Sequence, residues 1–289
     1  MHNYLKMPGQ TSVETTEFLY TLHLADNVLI LGQRNSEWCG HGPVLEQDIA
    51  ITNISLDLLG QARNLYQHAA SLYNSFTVAY REAVDQYLPR AWKSYRRELN
   101  EDDLAFLRDE RQYLNLLICE LPKGDWAQTL LRQYLFSSFQ LLLFTTLRSG
   151  GSDQLAAIAE KAVKEITYHV RWSGEWVVRL GDGTEESRRR MLAAIDNLKM
   201  YIAEFFIAAH YENQVPELQF GSGIVQLKQT WKQQFQHLFE EATLPLDMLN
   251  DLNSGHGHTG GKEGRHTEHL GYILTEMQYM QRSYPDLKW

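Results

Sequence analysis

From Val13 onward the apolar residues recur at helical intervals. Phe18, Leu19, Leu22, Ala25, Val28, Leu29, Ile30 and Leu31 trace one helix, capped by Ser12 and running to about Trp38. Gly40, Gly42 and Pro43 interrupt the pattern, and Pro43 suits the first turn of the next helix. A second stripe, from Val44 through Ile49, Ile51, Ile54, Leu58, Ala62 and Leu65 to Ala69, predicts a helix over 44–70. It is wider than a surface helix needs, so this helix should be buried on two sides. Residues 71–98, rich in Tyr and Arg, predict a helical excursion. Asn100 to Asp103 reads as a capped turn before a helix from Leu104 to Leu121, stopped by Pro122-Lys123-Gly124. Asp125 and Gln128 read as a capping box opening a third long helix, to Arg148, apolar nearly all round. After the break at 149–153 a fourth long helix runs from Gln154 to about Leu180. Thr184 then caps a helix to about His210, 215–223 is irregular, Ile224 to Ala242 is helical, and 249–264 is polar and glycine-rich. A last helix starts near His266 and ends near Arg282. No strand-like alternation appears. The expectation is an all-α fold in a single domain, 1–289: a bundle of four long helices (13–38, 44–70, 125–148, 154–180) with helical additions over 184–289.

Composition narrows the function classes. The formal net charge is −9 with no basic tail, which argues against nucleic acid as a partner. No apolar run is long enough to span a membrane, and no secretory signal is evident. Cys39 and Cys119 do not form a disulfide framework, so a cytoplasmic protein with free thiols is expected.

Long-helix bundles with buried carboxylates and histidines raise the di-iron question. Such a site takes a carboxylate from each of two helices and a Glu-x-x-His from each of the other two. The one literal Glu-x-x-His, Glu263 to His266, lies in the glycine-rich loop, where the helical geometry is absent. His256, His258, His266 and His269 cluster in sequence there. Their spacing matches no standard structural zinc site, and a solvated loop with Thr267 capping the last helix is the simpler reading. Cys39 and His41 are too close in sequence to face each other as a thiolate–imidazole pair. The aromatic stripes Tyr134/Phe136/Phe139 and Tyr272/Tyr279 read as core or subunit interface.

Three stretches, Ser36-Glu37-Trp38-Cys39-Gly40, Asp57-Leu-Leu-Gly-Gln-Ala-Arg63 and Lys164-Glu-Ile-Thr-Tyr-His169, resemble the ferritin-like subunits of the phenylacetyl-CoA epoxidase family. Arg108-Asp-Glu-Arg-Gln112 and the twelve-residue string from Gly260 to Gly271 resemble the non-catalytic member of that family. The likeness covers nearly the whole chain, with 74–98 as the main departure. By that resemblance Glu37 stands at the first-helix carboxylate position. Leu58 and Gln61 stand at the second-helix Glu-x-x-His, Ser137 at the third-helix carboxylate, and Ile166 and His169 at the fourth-helix Glu-x-x-His. Of these degenerate positions only Glu37 and His169 keep ligating side chains. Asp57 and Glu165 each precede a ligand position by one residue, ~100° round the helix, and are expected to face elsewhere.

The resemblance implies a chain with no catalytic and no metal-ligating residues and no bound cofactor of its own. It would be a structural subunit of a ring-epoxidising monooxygenase of phenylacetate degradation. The di-iron centre, NADPH and flavin or iron–sulfur groups would reside elsewhere in the complex. Its partners would be the homologous catalytic di-iron subunit and the other epoxidase subunits, or a second copy when alone. The alternative is a metal-dependent ferritin-like oxidase with an altered ligand set of Glu37, Glu165 and His169, extended by Asp57. Whether Leu58 and Ile166 point into the bundle centre separates the two.

Overall fold

The computed structural model describes residues 12–213, 224–247, 249, 252 and 257–287. The expected irregular stretch 215–223 and His256 lie outside the described residues. In chain order the helices are α1 (Val13–Ser36), α2 (Leu45–Ser75), α3 (Val78–Val84), α4 (Glu101–Phe106), α5 (Leu117–Glu120), α6 (Trp126–Leu147) and α7 (Asp153–Gly181). There follow α8 (Glu185–Leu198), α9 (His210–Asn213), α10 (Ile224–Glu241), α11 (Glu268–Met277) and α12 (Tyr279–Ser283). No strand occurs among the described residues, and none of their helices is long and apolar enough to cross a membrane.

The four long helices α1, α2, α6 and α7 form the expected bundle. α1 lies along α2, α6 lies along α7, and the two pairs meet where α2 touches α7. α1 and α6 are buried almost all round, as their near-continuous apolar sequences require. α7 shows one buried stripe, through Ala159, Ala162, Ile166, His169 and Ser173. The cap residues act as expected at Ser12, Thr184 and Thr267. At α6 the box is half made. Asp125 accepts the Gln128 N–H, but the Gln128 side chain turns to the Pro122 carbonyl. Tyr134, Phe136 and Phe139 are core, whereas Tyr272 and Tyr279 stand out in solvent.

Three sequence expectations need correction. The helix expected over 104–121 does not form. α4 ends at Phe106, a single 3-10 turn spans Glu110–Gln112, and 113–116 is an extended strap before the one turn of α5. The strap is buried against α1, whose side chains take over its backbone donors. Asp26 accepts the Leu114 N–H at 2.7 Å and Asn27 accepts the Leu116 N–H at 2.7 Å. Second, the helix from Thr184 stops at Leu198 and winds on as a 3-10 helix, Lys199–Phe206, which turns Ile202, Glu204 and Phe205 inward. Third, the last helix is two pieces, α11 and α12, separated at Gln278, whose buried amide donates to the Arg108 carbonyl and the Tyr113 hydroxyl.

Candidate functional site

The centre of the bundle is where the ligand positions should meet. Leu58, Ser137, Ile166 and His169 are fully buried there, and Gln61 nearly so. The i, i+3 spacing puts Leu58 with Gln61 on one face of α2, and Ile166 with His169 on one face of α7. α1 approaches closely at this level, since a Cβ on Gly32 would stand 3.3 Å from the Leu58 Cβ. Amides replace charge in what remains polar. Gln61 Nε2 donates to Glu165 Oε2 at 2.9 Å, and its Oε1 accepts from Gln140 Nε2 at 3.0 Å. Asn35 Nδ2 donates to Gln133 Oε1 at 2.6 Å, and Gln133 Nε2 donates to Ser137 Oγ at 2.7 Å.

Asp57 and Glu165 therefore do not face elsewhere. Their Cα atoms sit off the central face, yet both half-buried side chains bend back from the rim. Asp57 Oδ2 meets His169 Nε2 at 3.0 Å, so His169 pairs with Asp57. With the Nε2 proton directed at the carboxylate, the buried Nδ1 has no partner. Glu37 lies outside the centre. It is the residue after α1, half in solvent, and its carboxylate is held by Arg34 Nη1 at 2.6 Å. Asn35 takes the inward position at that end of α1.

A di-iron pair does not fit this set. Leu58 and Ile166 offer no donor, both ends of the Gln61 amide are engaged, and Glu37 points away. Among the described residues no three His, Cys, Asp or Glu side chains gather as a metal site would require. Cys39 and His41 also fail to pair, as the His41 ring faces the Cys39 carbonyl at 3.0 Å on the surface.

The charged chemistry of the molecule lies in a second polar core, between α1, the 113–117 strap and the 260–266 loop. Arg108 is completely buried. Its guanidinium grips the Asp26 carboxylate with Nη1 at 3.1 Å and with Nη2, donates to the Leu104 and Gln112 carbonyls, and stacks over Tyr113. Tyr66 donates to Asp26 Oδ1 at 2.5 Å, completing that carboxylate's shell. Glu204 accepts the N–H groups of Gly260 and Gly261 at 2.8 Å each and of Leu117 at 2.7 Å. Burial raises its carboxyl, and these three N–H donors offset only part of that. Lys262, also buried, bridges Glu212 at 3.0 Å. The glycines follow from proximity. A Cβ on Gly261 would fall 2.1 Å from the Asn115 carbonyl oxygen, and one on Gly264, where φ is +74°, would fall 2.4 Å from the Arg111 oxygen.

The described members of the histidine cluster, His258, His266 and His269, do not converge. His258 is exposed and lies against Tyr201, while His269 contributes its carbonyl to Arg34. His266 is no solvated loop residue. Its side chain is fully buried, with Nδ1 at 2.8 Å from Glu120 Oε2 and Nε2 at 2.9 Å from the Tyr113 carbonyl. Both partners are acceptors, so both ring nitrogens donate and the ring is an imidazolium. Burial pulls its pKa down, but Glu120 and the Tyr113 carbonyl outweigh burial and leave it raised. No lone pair remains for a metal. The Glu263 carboxylate turns outward to Arg265 at 2.7 Å, away from His266.

Sequence reasoning missed Asp26, Glu120, Glu204 and Glu212 as members of this core. Asp26 had left a signal, being a carboxylate inside the apolar run of α1. The others sit in segments whose periodicity carries no such mark.

A family model described as phenylacetic acid catabolic protein matches residues 5–289. One of the subunits of the Escherichia coli (strain K12) 1,2-phenylacetyl-CoA epoxidase is 43% identical over 270 residues, covering 93% of this chain and 98% of that protein.

Proposed function

Because the chain belongs to the phenylacetic acid catabolic protein family, we propose that it is the non-catalytic structural subunit of a phenylacetyl-CoA epoxidase. It pairs with a homologous di-iron subunit, which uses O₂ and NADPH, with electrons from a separate reductase, to epoxidise the aromatic ring. The observation that carries the metal-free part of this reading is the fully buried pair Leu58 and Ile166, set where each Glu-x-x-His would need its carboxylate. Iron in its partner would supply oxygen activation. This chain's residues supply a rigid bundle, filled by Leu58 and Ile166 and tied by the Gln140–Gln61–Glu165 relay, against which that partner holds its shape.

Metal analysis of the purified chain after anaerobic Fe(II) reconstitution tests the reading. It expects less than ~0.1 iron per chain, against ~2 for an intact six-ligand site, together with co-purification with the catalytic subunit. Near two irons per chain, lost on His169→Ala, would overturn it in favour of an oxidase using Glu37, Glu165 and His169.

A further inference from the structure

α2 and α7 run antiparallel, and side chains bridge them at successive levels, Asp57 to His169 and then Gln61 to Glu165. Beyond Gln61 the bridging stops. Between Asn64, His68 and Ser71 of α2 and Gln154, Ile158 and Lys161 of α7 the helices leave a cleft of about 610 Å³. A volume of that order fits a small organic molecule.

His68 is built into this cleft, its side chain only 9% exposed. Its Nε2 lies 2.9 Å from Glu17 Oε1, and Glu17 also accepts from the Ser152 hydroxyl. Burial raises the Glu17 carboxyl, but the bonds from His68 and Ser152 outweigh burial and hold it below its ordinary value. An ionised carboxylate only accepts, so Nε2 keeps its proton toward Glu17 and the ring is fixed with Nδ1 on the other side. Nδ1 meets no described residue and is not sealed from solvent, so it opens on the cleft that His68 lines. Paired with Glu17, the ring can carry a second proton on Nδ1 and donate it.

The rest of the polar lining is equally unengaged. The side chains of Asn64, Ser71, Gln154 and Lys161 bond to no described residue. Gln67 differs, since its amide is taken by Glu101, which Arg63 also holds. The chain carries a net charge of −9, yet no carboxylate lines this cleft. Glu160, next to Lys161 in sequence, is taken by Arg148 at 2.6 Å. Lys161 is then an uncompensated ammonium, beside an open imidazole nitrogen and three neutral groups that each donate. α7 also starts here, capped by Ser152, and a helix start favours negative charge. Such a set suits a charged group rich in acceptor oxygens. A bare phosphate would fill only a small part of the volume, and the amides and hydroxyl suit hydroxyl groups on an attached body.

We propose that the cleft between α2 and α7 binds a small phosphate monoester with a polyhydroxylated body, Lys161 and His68 Nδ1 holding the phosphoryl oxygens and Asn64, Ser71 and Gln154 the hydroxyls. The inference does not depend on the iron content or on the epoxidase assignment.

Calorimetric titration of the full-length chain with ribose 5-phosphate at physiological salt tests it, with ribose and inorganic phosphate as comparisons. Ribose 5-phosphate binds with a dissociation constant below ~1 mM, at least about tenfold tighter than inorganic phosphate, and ribose does not bind. The same titration moves the His68 ring signals in nitrogen-15 NMR spectra. Lys161→Met, a surface change, weakens binding at least about tenfold, the contribution of one hydrogen bond to a charged group. His68→Gln sets an amide nitrogen near the place of Nε2, keeping the Glu17 contact while removing Nδ1, and weakens binding comparably. Thermal melts confirm that both variants fold. Absence of ribose 5-phosphate binding at millimolar concentration overturns the proposal, as does binding that both variants leave intact. Inorganic phosphate binding as tightly as the ester also overturns it, since the cleft would then select an anion and not a monoester.

Discussion

His266 and His23 set opposite pH responses within a few residues of the same strap. His266 has its folded pKa raised. Below about pH 6.5, the ordinary imidazole value, it is protonated both folded and unfolded, and its pairing with Glu120 stabilises the fold in full. As pH rises through the folded value the ring loses its proton, Nδ1 or Nε2 is left facing an acceptor, and that stabilisation disappears. His23 is held down to about 4, by burial first and by the Lys262 charge second, while its Nδ1 lies 2.6 Å from the Leu114 carbonyl. The unfolded chain takes up this proton below about pH 6.5 and the folded chain does not, so stability falls on acidification. Denaturant midpoints across pH should show wild type weakening on the alkaline side in a component that His266→Gln lacks. At pH 6 the substitution itself should cost about 3–5 kcal/mol, because it leaves Glu120 buried without its counter-charge.

At the scale of elements, the loop from Gly260 holds α11 against the bundle through backbone contacts too close for a side chain. Gly261→Ala forces a methyl against the Asn115 oxygen and should lower stability by about 2 kcal/mol or more. Limited proteolysis should then cut within 257–266 faster than in wild type. The long helices α1, α2, α6 and α7 were legible in the sequence because an apolar stripe, a cap and a breaker agree at each of them. The 113–116 strap was not. Its leucines read as a helical face, and only the side chains of Asp26, Asn27 and Glu204, distant in sequence, make an extended backbone tolerable there. Glu37, Asp57 and Glu165 were misplaced for a related reason. Helical register locates a Cα, whereas a carboxylate on two or three bonds can reach back across ~100°, or be drawn outward by an arginine such as Arg34.

Over the whole molecule, hydrophobic and charged interiors have traded places relative to a di-iron bundle. The bundle centre is packed by Leu58 and Ile166 and cross-linked by amides, while the buried ion pairs Asp26–Arg108, Glu120–His266 and Glu212–Lys262 gather where the C-terminal segment joins α1. Breaking such pairs one side at a time is costly, so they fix the way the additions sit on the bundle. The strap at their middle has a consequence for hydrogen exchange. The amides of Leu114, Leu116 and Leu117 bond to side-chain oxygens, and none of the three belongs to a helical or strand ladder. Because those oxygens are buried and held by α1 and Glu204, the amides open only when the C-terminal segment detaches or the chain unfolds globally. Deuterium uptake measured residue by residue should rank these amides with the core of α1 and α6, and far slower than the solvent-facing turns of α8. The slowest clock in this helical protein then runs partly in a segment with no regular secondary structure.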